Sequence, residues 1–136
     1  MTVIVTDAGF AHDDWEHGFA APEDRAANDT RGLHLASDID PATLAQLMVG
    51  VDMIRIDFPS FADGRGFTLG RQLRLLGYSG RLRAHGHVIS DQYTMARRSG
   101  FDEVEISEDL SQRQPEEDWL ARADWRAYDY RSRLTG

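Results

Sequence analysis

Residues 33–106 alternate in short steps between segments suited to a strand and segments suited to a helix, and few folds accept that rhythm. Leu33 to Ala36 reads as a short strand. Asp40 is a good N-cap with Pro41 at the first helical position, and Leu44, Leu47, Met48 and Val51 share one helical face. Met53 to Phe58 reads as a strand in which Ile54, Ile56 and Phe58 alternate with Arg55 and Asp57. A helix with Leu69, Leu73 and Leu76 on its face follows, ending at Gly77. Arg81 to His85 is a third strand, Ser90 caps a helix carrying Tyr93 and Ala96, and Gly100 leads to a fourth strand, Val104 to Ile106. Each gap between strands has room for one crossover helix, so the expectation is an α/β domain of repeated βα units on a mainly parallel sheet.

Both ends are less regular and more acidic. Thr2 to Thr6 reads as a strand closed by the turn Asp7-Ala8-Gly9, and Ala11 to Thr30 as a loop-rich arm anchored by Trp15 and Phe19. Residues 1–31 carry seven acids against two arginines; residues 103–136 carry nine against five. After Ser107 an acidic stretch is broken at Pro115, and Glu116 to Arg133 is expected to be a helix bearing Trp119, Trp125 and Tyr128. Those aromatics suit docking on the body or on a partner. The whole is expected to be one domain over 1–136: a strand and arm over 1–31, a βα core over 32–106 and an acidic helical segment over 107–136.

Composition removes several chemistries. Without cysteine there is no disulfide, thiolate metal site, iron–sulfur ligation or cysteine nucleophile. All fifteen basic residues are arginine, which removes Schiff-base lysines and the P-loop lysine. A net charge of −8 with no basic tract points away from nucleic acid. No apolar run suits a membrane span and no leader is visible, so the expected location is the cytoplasm. No cofactor is indicated.

Ligands of parallel α/β sheets bind at the carboxyl ends of the strands. Three loops are expected there: Phe58 to Gly66, Ala84 to Gln92, and the segment opening Ser107-Glu108-Asp109. In the first, Asp63-Gly64-Arg65-Gly66 would suit an anion through backbone amides and the Arg65 guanidinium, or would form a capped turn with Arg65 paired to Asp57 or Asp91. In the second, His85 and His87 would point the same way along extended backbone, as two metal ligands require, with Asp91 or Asp63 as a third. The other reading gives one histidine an acid–base role. Gln92 either reports a ligand or caps its turn.

The runs Ile56-Asp57-Phe58-Pro59-Ser60-Phe61-Ala62-Asp63-Gly64-Arg65-Gly66-Phe67, Gly80 to Gln92 and Arg98-Ser99-Gly100-Phe101-Asp102 resemble a bacterial domain-of-unknown-function family, number 934. The likeness covers roughly residues 32–106 and matches Asp63, Gly64, Arg65, Arg83, Gly86, Asp91, Gln92, Gly100 and Phe101. His87, Phe67 and Ser99 depart from the family's usual acid, tyrosine and cysteine. The resemblance implies a role in assimilatory sulfite or sulfate reduction, since members are described as oxidoreductases from the neighbourhood of their genes. Two readings follow. One is an accessory protein that binds a sulfite reductase or its electron donor through an acidic, aromatic surface around Trp119 and Trp125. The other is a small enzyme or binding protein for an anionic sulfur metabolite, with Arg65, Gly64, Arg83 and Gln92 holding the anion and Asp63, His85 or Asp91 as the catalytic group.

Overall fold

Six strands form one sheet in the computed structural model, which describes residues 2–27 and 31–128. They are β1 (Thr2–Thr6), β2 (Gly9–Ala11), β3 (Gly32–Leu35), β4 (Met53–Phe58), β5 (Arg81–Gly86) and β6 (Glu103–Ser107), in the order β2-β1-β6-β5-β4-β3. The four strands β3 to β6 are mutually parallel, and β1 joins antiparallel to both β6 and β2. The α/β architecture with a mainly parallel sheet is as the alternation implied.

From β3 to β6 each strand steps one place in the same direction. Right-handed crossovers then carry every connecting helix over one face. These are α1 (Leu44–Leu47), α2 (Arg65–Leu75) and α3 (Tyr93–Arg98). Strand periodicity turns Leu33, Leu35, Ile54, Ile56, Phe58, Leu82, Ala84, Val104 and Ile106 into one core with Leu44, Leu69, Leu73, Tyr93 and Ala96. Burying each large apolar side chain there contributes roughly 1.5–3 kcal/mol. Gly66 and Gly70 let α2 lie close to the sheet: a Cβ would meet the Phe58 ring at 2.4 Å and the Phe101 ring at 2.6 Å.

Local signals act largely as expected. The Asp40 carboxylate accepts the Ala42 amide at 3.0 Å, with Pro41 opening a short 3-10 turn into α1. Ser90, by contrast, does not cap α3 with its hydroxyl, which donates to Gln114 Oε1 at 2.8 Å; the Ile89 amide is instead capped by Gln92 Oε1. Leu76 is exposed rather than core, because Phe67, Leu69, Gly70 and Leu73 make the buried face of α2.

The C-terminal segment needs the larger correction. Ser107 Oγ accepts the Leu110 amide and starts α4 (Glu108–Arg113), which the acidic composition disguised as loop. The single helix expected over 116–133 is α5 (Glu116–Leu120), then a turn, then a 3-10 segment over Trp125–Tyr128; positions 129–133 lie outside the described residues. Among the described residues no helix is long and apolar enough to cross a membrane.

Candidate functional site

The sheet face away from the helices carries charge at nearly every position. Register sets His34, Arg55, Arg83 and Glu103 in one row across β3, β4, β5 and β6, and Asp57, His85 and Glu105 in the next row. Side-chain period two makes each of these point away from the helices.

Arg83 is the centre of the first row and is fully buried. Its Nε donates to Glu103 at 2.8 Å, Nη1 to Glu105 at 2.9 Å, and the Nη1/Nη2 fork grips both oxygens of Asp13 at 3.0 and 2.9 Å. Arg81 shares Glu103 at 2.6 Å and pairs with Asp14 at 2.8 Å. Arg55 donates to His34 Nδ1 at 2.9 Å and Glu105 at 3.2 Å, and lies 3.9 Å above the Phe19 ring. Burying a guanidinium costs several kcal/mol unless its donors are met, and Arg83 meets them with three carboxylates. Burial of the Asp13 carboxyl would raise its pKa, but the hydrogen bonds from Arg83 and the Trp15 amide hold it below the ordinary 3.8.

Residues 12–19 cross the half of this face nearest the amino ends of the parallel strands. Among the described residues, nothing crosses the half nearest the carboxyl ends. There His85 Nδ1 lies 3.1 Å from Asp57 Oδ1 and Nε2 3.6 Å from Glu105 Oε2, with about a third of the His85 and Asp57 side chains exposed. His34 packs edge-on to His85 at 5.6 Å. Burial, then the Arg55 charge, keeps His34 below its ordinary pKa of 6.5. With Arg55 donating to Nδ1, the neutral ring of His34 carries its proton on Nε2.

Beside His85 is a pocket of about 160 Å³ at the carboxyl ends of β5 and β6, lined by His85, His87, Glu105, Ser107, Arg113 and Thr2. Gly86 shapes it. Its φ of 113° turns the chain, and its lack of a Cβ lets the Phe58 carbonyl approach and accept the His87 amide at 2.9 Å. The left-handed residue also parts the two imidazoles expected to be parallel: His87 stacks edge-on to Phe61, while His85 faces Asp57. Among the described residues no three His, Asp or Glu side chains are grouped to hold a metal. The pocket can do two things: an imidazole beside a carboxylate can move a proton, and His87 with Arg113 can donate to an anion.

Other residues singled out from the sequence sit elsewhere. Arg65 closes on its neighbour Asp63, with Nη2 to Oδ2 at 2.7 Å and Nε to Oδ1 at 3.0 Å, and Ser37 donates to the same carboxylate. The Arg65 side chain and then its amide hold Asp63 well below the carboxylate range. Gly64 has an ordinary φ of −88°. Gln92 is a structural tie, capping Ile89 and donating to the Phe61 carbonyl, and Asp91 pairs with Arg122. Arg83 cannot clamp a free anion because its donors are already engaged.

Trp119 is a correction: at 1% exposure it is core, edge-on to Tyr93 with its indole N–H on the Gln114 carbonyl, and offers no surface to a partner. Trp125 is partly exposed, donates to Asp7 and carries Arg97 over its ring.

Sequence reading missed His34, Arg55, Asp57, Glu103, Glu105 and Asp13 as one cluster. Its signal was present as Arg-x-Arg-x-His in 81–85, Arg-x-Asp in 55–57 and Glu-x-Glu in 103–105, opposite charges at alternate positions of neighbouring strands.

Against known proteins, the sequence model described as a bacterial protein of unknown function, DUF934, matches residues 32–133. No curated protein and no solved structure matches.

Proposed function

The chain belongs to this bacterial family, DUF934, and from that premise we propose that it serves assimilatory sulfite reduction by holding a small sulfur oxyanion at the His85 pocket. The observation that carries this is that His85, His87 and Arg113 all line one pocket at the carboxyl ends of β5 and β6. Three donor side chains in a small concavity suit an oxyanion, which would compete there with Glu105 and with the Asp109 partner of Arg113. At about 160 Å³ the pocket is smaller than the roughly 300–1,000 Å³ that takes drug-sized ligands, which favours a small oxyanion over a nucleotide. Asp57, at 3.1 Å, orients His85 as proton donor or acceptor toward the bound group.

Titration calorimetry with sulfite, and with sulfate as its fully oxidised counterpart, tests this. Sulfite is expected to bind, and His85→Ala and Arg113→Ala are each expected to weaken it about tenfold, as lost charge-assisted hydrogen bonds do. Absent heat, or equal affinity in both variants, removes the reading.

A second reading, an accessory protein docking on a sulfite reductase or its electron donor, is favoured by a different observation. Glu108, Asp109 and Glu117 are exposed on the successive helices α4 and α5, as is Leu120 at the end of α5. Exposed carboxylates on consecutive helices suit a basic partner. Pull-down of the reductase, with a reconstituted sulfite-reduction assay, separates the two: docking survives His85→Ala and fails in Glu108→Lys/Glu117→Lys, which leaves the Asp109 partner of Arg113 in place.

A further inference from the structure

Residues 12–19 form a strap over the charged face. Ala11 ends β2 at one edge of the sheet, and Ala20 bridges Leu33 of β3 at the other, with Ala20 N to Gly32 O and His34 N to Ala20 O both 2.9 Å. Nine Cα steps from Ala11 to Ala20 reach about 30 Å when extended. Crossing from β2 to beyond β3 is six strand spacings, about 29 Å. The strap therefore has little length to spare.

Its footing is unusual. None of residues 12–19 is buried, yet it covers Arg83 completely. What attaches it is the Asp13 fork on Arg83, the Asp14 contact with Arg81, Phe19 under Arg55, the half-buried Trp15 against Gly32 and the His17 contact with Arg31. Without the strap, Arg81 and Arg83 keep Glu103 and Arg83 and Arg55 keep Glu105, so the carboxylates of the face stay paired while donors of Arg83 and Arg81 fall vacant. The face lies within the residues matched by the family model and the strap outside them. With no fully buried residue and no regular secondary structure, the strap is the part of this face that local opening would release first.

We propose that the strap is a displaceable intramolecular ligand, and that the face beneath it docks an acidic peptide segment of another protein. The segment's chemistry is set by what it replaces: two adjacent carboxylates to take the donors of Arg83 and Arg81, followed by an aromatic ring for Arg55. This site adjoins the His85 pocket through Glu105, which borders both, but does not depend on the pocket's assignment.

The probe is a fluorescent peptide with the sequence of residues 11–21, titrated by anisotropy into the full chain and its Asp13→Asn/Asp14→Asn variant. The variant, with its strap loosened, is expected to bind the peptide at least about tenfold more tightly than the unaltered chain, with binding weakened by salt. A peptide carrying Asn for both aspartates is expected not to bind. Hydrogen exchange on the unaltered chain gives an independent reading should the variant fail to fold. The Ala20 and His34 amides, which hold the strap, are expected to exchange at least about tenfold faster than those at the centre of β4. The proposal is overturned if a folded variant does not bind the peptide, if strap amides exchange only with global unfolding, or if sedimentation shows a dimer made by exchanging straps, which would make the occupant a second copy.

Discussion

Replacing Arg83 with Met removes a fully buried charge while keeping most of the side chain's volume, so the effect reads the electrostatics rather than a cavity. The carboxylates left behind are not equally stranded. Glu103 keeps Arg81 at 2.6 Å, and Glu105 keeps Arg55 at 3.2 Å. Asp13 loses its fork, but a third of its side chain is exposed and it can hydrate. The loss should therefore match the breaking of one buried network link, about 3–5 kcal/mol, and not three orphaned charges. For a domain of 136 residues, at about 4 °C per kcal/mol, that lowers Tm by about 12–20 °C. Urea unfolding followed by tryptophan fluorescence, with calorimetry for Tm, measures it. Adding Asp13→Asn to the Met variant should cost little more, since Arg83 was the partner that held Asp13 in place. A loss under about 1 kcal/mol would refute the reasoning, because it would mean that Glu103 and Glu105 turn to solvent and the face is not a closed network.

Three further outcomes are expected. His34 has a folded pKa below 6.5 through burial and the Arg55 charge, so the unfolded chain takes up that proton first. Its contribution to stability is complete above pH 6.5 and declines as pH falls through that value toward the folded pKa. Urea midpoints between pH 7.5 and pH 5 should fall less in His34→Gln, and equal slopes would sink the assignment. The lowered carboxyls of Asp7, Asp13 and Asp14 act in a separate, more acidic window, present above 3.8 and lost below it. Trp119→Ala should cost about 3–5 kcal/mol in thermal unfolding, as other buried large-to-small changes do, while Trp125→Ala, at a partly exposed site, should cost far less. If reductase binding is lost in Trp119→Ala, it should be lost together with folding.

The parallel βα core was legible because each of its signals is local. Alternating Ile54, Ile56 and Phe58, the Asp40-Pro41 start and the glycine stops at 77 and 100 act over a few residues, and spacing alone calls for crossovers. The short β2 and α4 were not legible. Three residues make β2 a strand only because β1 is beside it, and α4 depends on a single serine cap followed by acids that read equally well as loop. The site was legible in part: His85 and His87 were singled out and do share a pocket. Arg65 and Arg83 looked like free anion clamps because a sequence displays a charge without its partner, and both partners had to be placed by the fold.

By itself, the chain's alternation of apolar and charged positions determined that a sheet would form with one greasy face and one ionic face, since burial rewards only the first. Which charges meet across the second was decided by tertiary structure alone. Register set Arg83 beside Glu103 and His85 beside Glu105, and a strap from seventy residues away brought Asp13 to Arg83. Pairing energy depends on distances that strand order and chain return create, and no local segment of the sequence holds that information.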